Sequence, residues 1–67
     1  MTDREMRLVG LRKEAQELRE LIQAVEAAKA AGSELSLRIL FEYGRALARL
    51  PQVEREVAEL EGRAAWE

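Results

Sequence analysis

The chain has 67 residues, none of them Cys or His, with 11 basic and 13 acidic side chains for a net charge of −2. That excludes a disulfide framework, removes the usual ligands of zinc, haem and iron–sulfur groups, and leaves no Ser–His or Cys–His pair for nucleophilic catalysis. Neither a cofactor nor an enzymatic activity is therefore expected, and a dedicated nucleic-acid binder would carry a clearer basic excess.

Apolar residues make up 48% of the chain but aromatics only 4%, because the oily content is mostly Ala and Leu. So short a chain rarely buries enough surface to stand alone without a disulfide, a metal or a partner. With the first two removed, a partner is the remedy that remains. No uncharged apolar run approaches the ~20 residues needed to span a bilayer. Met1-Thr2-Asp3-Arg4-Glu5 lacks the basic and then apolar regions of a signal peptide. The expectation is a cytoplasmic protein with no membrane partner.

Thr2 and Glu5 have the spacing of a capping box, with Thr2 as N-cap. Apolar residues then recur at Leu8, Leu11, Ala15, Leu18, Ile22 and Val25 in alternating steps of three and four, which is a heptad seam. Gly32 follows an alanine-rich end and suits the position just past a helix, because it tolerates a left-handed backbone. The pattern predicts a first helix over about 3–31, roughly 43 Å long at 1.5 Å per residue, and a turn over about 32–34.

Ser33 is one candidate cap for the second arm and Ser36 the other. A second seam reads Leu40, Tyr43, Leu47 and Leu50, then Val53, Val57, Leu60 and Ala64. Two consecutive steps of three around Leu50 put a slip in this phase. Pro51 stands at the slip, lacks an N–H, and disfavours a helical conformation at Leu50. The expected second arm is a helix over about 35–50, a kink or break at 51, and a helix over about 52–65.

The fold class is therefore all-α, an antiparallel helical hairpin of two matched arms forming one domain. The first arm carries a narrow apolar stripe, whereas Leu35 to Leu50 are apolar around nearly the whole circumference. A single neighbouring helix covers one face only, so Leu37, Phe41, Gly44 and Ala48 form a second apolar face that marks an interaction site. The small residues Gly44 and Ala48 would let another helix approach closely. The expected remedy is a homodimer assembled as a four-helix bundle, with a larger protein partner as the competing arrangement.

Arg38, Arg45 and Arg49 lie within about one third of the circumference of the second helix, with Glu42 among them. They form the candidate contact for RNA or an acidic partner, against the plainer reading of an i,i+4 Arg38–Glu42 pair on a solvated surface. Glu14, Glu17 and Glu20 at i+3 spacing lack the Glu-x-x-His motifs of carboxylate metal sites and read as a solvated face near Arg12 and Lys13. The acidic and basic residues from Glu54 to Arg63 read as an outer face with Arg55–Glu59 and Glu59–Arg63 pairs. Tyr43 reads as a structural tyrosine on the seam, and Trp66 either as a lid on the end of the hairpin or as an anchor for a partner.

Pro51-Gln52-Val53, after a Gly32-led turn and a Leu-rich helix, resembles the last hairpin of the YlbF/YmcA helical regulators. Glu34-Leu35-Ser36-Leu37 with the later Tyr43 resembles the turn and second helix of the small subunit of exonuclease VII. Neither resemblance carries a residue role onto this chain. The shape is similar to Rop-type RNA-binding dimers in architecture alone. The expected function is a non-enzymatic interaction, scaffolding or regulatory module acting as a small helical homodimer. An RNA-binding dimer and a small subunit of a larger complex are the alternatives.

Overall fold

The computed structural model describes residues 2–66, with side chains described for 2–62. Expectations for the side chains of Arg63, Ala64 and Trp66 lie outside the described residues. Two helices, α1 (Asp3–Ala30) and α2 (Leu37–Trp66), pack as a hairpin.

Both ends of α1 are closed by local chemistry. The Thr2 hydroxyl accepts a 3.2 Å hydrogen bond from the Glu5 backbone N–H, and Asp3 and Glu5 place negative charge in the first turn. At the other end Ala31 is the C-cap and Gly32 adopts a positive φ of 77°. The Ser33 N–H donates to the Ala28 carbonyl and the Gly32 N–H to the Lys29 carbonyl, both at 3.0 Å. These crossed bonds are a Schellman motif, and they satisfy carbonyls that α1 would otherwise leave open.

The cap of α2 is Ser36 rather than Ser33. Its hydroxyl accepts from the Ile39 N–H at 3.2 Å and its carbonyl from the Leu40 N–H at 3.1 Å. Ser33 lies in the turn that ends α1, and residues 33–36 are non-helical, so the first turn of α2 forms beyond it. The helix therefore begins at Leu37, two residues later than expected, and Leu35 sits half-buried in the connection.

The largest correction concerns the seam of α2. Its inward residues are Tyr43, Ala46, Leu50, Val53, Val57 and Leu60, all buried or half-buried. The steps between them alternate three and four without a slip, and they run straight through Pro51. Ala46 is 2% exposed, whereas its neighbour Leu47, the expected seam residue, is 46% exposed. The apparent slip arises from choosing the bulkier of two adjacent residues. Leu40 is likewise displaced to the outside, at the edge of the hairpin.

With the seam in phase, the helix is continuous from Leu37 to Trp66 with Pro51 inside it. Of the kink or break expected at Pro51, the break into two helices is not what the chain adopts. Pro51 is exposed and on the side away from α1, so the carbonyl that its missing N–H would have served faces outward, where water can satisfy it.

Against this seam α1 places Leu11, Ala15, Ile22 and Val25 as buried residues, with Leu8 and Leu18 half-buried. Val53 is fully buried and packs in one cluster with Leu11 and Ala15, flanked by Leu18, Leu50, Val57 and Leu60. The alanines at 15 and 46 narrow the gap between the helices. The core is one row of side chains deep, which is all that two helices can enclose.

Charges lace the seam from both sides. Glu54, Glu56 and Glu61 cross to Arg19 (3.8 Å), Arg7 (3.9 Å) and Arg12 respectively. The expected Arg55–Glu59 pairing is not found among the described residues, whereas three other acids of this stretch reach α1. Lys29 lies 5.7 Å over the Tyr43 ring, a cation–π contact that covers the seam near the turn.

Candidate interaction surface

The half of α2 nearest the turn carries a second apolar face. Leu37 is 85% exposed, Phe41 68% and Leu40 about as open as Leu47; Gly44, Ala48 and Pro51 are also exposed. With 100° between successive residues of an α-helix, these seven positions fall within about a third of the circumference, centred roughly 150° from the seam. The face thus looks away from α1, and among the described residues none of the hairpin covers it. Leu37, Phe41, Gly44 and Ala48 all lie on it and are exposed. Leu40, Leu47 and Pro51 also lie on it, although side-chain size in the sequence points to the seam for the two leucines.

The face ends abruptly. One turn beyond Pro51 the same side of α2 continues with Arg55, Ala58, Glu59 and Gly62. The apolar stretch is therefore about 15 residues, or roughly 21 Å at 1.5 Å per residue. On α1 the exposed large apolar residues are Met6 and Val9, near its other end and remote from this face.

A Cβ built on Gly44 would meet nothing within 4 Å. The hairpin itself therefore places no demand on glycine here, although glycine costs a helix about 1 kcal/mol relative to alanine. Gly10 and Gly62 are equally open; Gly44 differs from them in standing at the centre of an apolar face.

The three arginines have separate fates. Arg49 donates to Glu14 on α1, with Nε to Oε2 at 2.8 Å and a second, longer bond at 3.4 Å. That hydrogen bond, reinforced by each partner's opposite charge, holds the Glu14 carboxyl below the usual carboxylate range and raises the Arg49 guanidinium further. Arg38 pairs with Glu42 at 3.5 Å, in the expected i,i+4 arrangement. Arg45 is exposed and lines a shallow groove of about 530 Å³ between the helices, with Leu18, Leu21, Glu42, Arg49 and Gln52. Two of the three cations are thus matched to carboxylates within the chain. Glu14 is correspondingly not a member of a free acidic face.

Among the described residues no His, Cys, Asp and Glu side chains converge as a metal-ligand set, and no helix is long and apolar enough to cross a membrane. Comparison with protein-family models, curated proteins and solved structures finds no match to this chain.

Proposed function

We propose that this chain is a non-enzymatic protein–protein interaction module that works as a homodimer, two hairpins joining through the outer face of α2 into a four-helix bundle. The observation that carries this reading is the uncovered face from Leu37 to Pro51 on a helix whose opposite side is already used. A hairpin buries each side chain from one direction only, so a second hairpin supplies the missing half of the core.

The area supports the same reading. The hairpin exposes 5348 Å², whereas a compact monomer of its mass would expose about 4,300 Å². The excess, on the order of 1,000 Å², is comparable to the ~800 Å² that each partner contributes to a standard interface. The radius of gyration of 15.0 Å likewise exceeds the ~11 Å of a compact chain of this length.

A bend at Pro51 belongs to the same proposal. The ring crowds the Leu47 carbonyl, and a helix relieves such crowding by leaning away from the proline, here toward α1. That lean keeps the seam closed beyond Pro51 while the outer face stays convex and open to a partner.

Sedimentation equilibrium tests the reading: a folded monomer at micromolar concentration would sink it, and Phe41→Asp is expected to turn a dimer into a helical monomer. A pull-down from the native host, with Phe41→Asp as control, then asks whether the dimer in turn recruits a larger protein.

A further inference from the structure

The outer face of α2 is a palindrome about Gly44. Three residues to either side stand Phe41 and Leu47, four to either side Leu40 and Ala48, and seven to either side Leu37 and Pro51. All seven positions of the face are exposed, and the reflection through Gly44 returns the same set. A two-fold interface between antiparallel helices has this requirement, since residue i of one copy must meet residue j of the other while j meets i.

We propose that a second copy of this chain docks on α2 antiparallel to it, with the two-fold axis passing beside Gly44. The inference rests on the homodimer reading above and specifies its geometry. In this arrangement Leu40 meets Ala48 of the second copy, Phe41 meets Leu47, and Leu37 meets Pro51. Large side chains lie against smaller ones, so the bulk is spread evenly along the contact. At the axis Gly44 faces Gly44, and the absence of a Cβ there lets the backbones approach. The open space around Gly44 within its own chain is then filled from outside.

A parallel pairing distributes the same residues badly. It sets Phe41 against Phe41 and Ala48 against Ala48, crowding one layer and leaving the next slack. It also lays the later halves of the two α2 helices side by side. Between Gln52 and Gly62 each has four Glu and one Arg, so like charges would face one another. The antiparallel pairing carries each acidic half past the start of the other α2. Arg55, on the outer face one turn beyond Pro51, then comes level with the connection that holds the second copy's Glu34. Neither residue has an ion-pair partner among the described residues of its own chain.

Because the chain has no cysteine, single-cysteine variants report the geometry cleanly. A disulfide needs Cα atoms within about 7 Å. Gly44→Cys is expected to form a covalent dimer under mild oxidation. Leu37→Cys alone should not, since its two copies would lie roughly 21 Å apart along the helices. An equimolar mixture of Leu37→Cys and Pro51→Cys chains should cross-link as a heterodimer, and so should Phe41→Cys with Leu47→Cys, a pair that leaves Gly44 intact. Helicity by circular dichroism confirms that each variant is folded. A wild-type dimer in which Leu37→Cys cross-links with itself, or in which neither mixed pair links, overturns the antiparallel geometry while the homodimer stands. A wild-type chain that sediments as a monomer overturns both.

Discussion

Glu14 and Arg49, 35 residues apart in sequence, are joined by a two-pronged hydrogen-bonded ion pair that bridges α1 and α2 at the middle of the hairpin. Both side chains remain partly exposed to solvent, so the pair fixes register more than it adds stability. Its pH signature has a definite sign. The folded Glu14 has a pKa below its ordinary value of 4.5, so its contribution is fully present above that value and lost as pH falls through the lower folded value. Arg49 is raised further above its already high ordinary value by the same hydrogen bond and stays charged throughout this range. The difference in Tm between the wild type and Glu14→Gln should therefore be constant above about pH 5 and shrink toward zero in acid. A difference that persists unchanged at pH 2 would mean that the carboxylate charge is not the source.

The corrected seam makes Val53 and Leu47 unequal in a way that side-chain size does not suggest. Val53 is fully buried, and Val53→Ala should cost about 2 kcal/mol through lost transfer energy and the cavity left behind. Leu47→Ala removes a larger group but leaves the hairpin core intact. Its effect should appear as weakened self-association at low concentration, not as a loss of helicity. Chemical denaturation at several protein concentrations separates the two, since only the second effect depends on concentration.

Most of this fold is legible in the sequence because its signals are local. Thr2 and Gly32 mark the ends of α1 by their own chemistry, and the steps of α1 leave one choice of face. The second arm is harder for a physical reason: from Leu37 to Leu50 both sides of α2 are apolar, so periodicity alone does not say which side meets α1. Ala46 and Leu47 illustrate this, since the smaller residue goes inside where the helices approach and the larger remains for a partner. Pro51 then reads as a kink or break when the seam is traced through Leu47, and as an exposed position of a continuous helix when traced through Ala46. The arginines are a different case. The distance between Arg49 and Glu14 is a tertiary fact that no i,i+4 rule anticipates.

The connection between the helices rests on two residues with distinct roles. Gly32 has a φ of 77°, so Gly32→Ala should destabilise the hairpin by about 1–2 kcal/mol, the cost of a left-handed L-residue. Ser36→Ala removes the hydroxyl that caps the Ile39 N–H and should cost about 1 kcal/mol. Thermal melts of the single and double variants are expected to be close to additive, because the two caps share no partner. If Ser33→Ala proved as damaging as Ser36→Ala, the start of α2 would be misplaced.

Gly44 offers the sharpest separation of forces within a chain from forces between chains. Its added Cβ meets nothing in the hairpin, and replacing an interior helical glycine by a good helix former should strengthen the helix by about 0.8 kcal/mol. Gly44→Leu should therefore leave the isolated hairpin as helical as before or more so. Between two copies the same side chain would sit at the point of closest approach, where a second leucine from the partner cannot be accommodated without spreading the helices. Self-association measured by sedimentation is expected to weaken at least tenfold while helicity is retained. If Gly44→Leu dimerises as tightly as the wild type, helices do not meet closely at this position, and the apolar face around it would need another occupant.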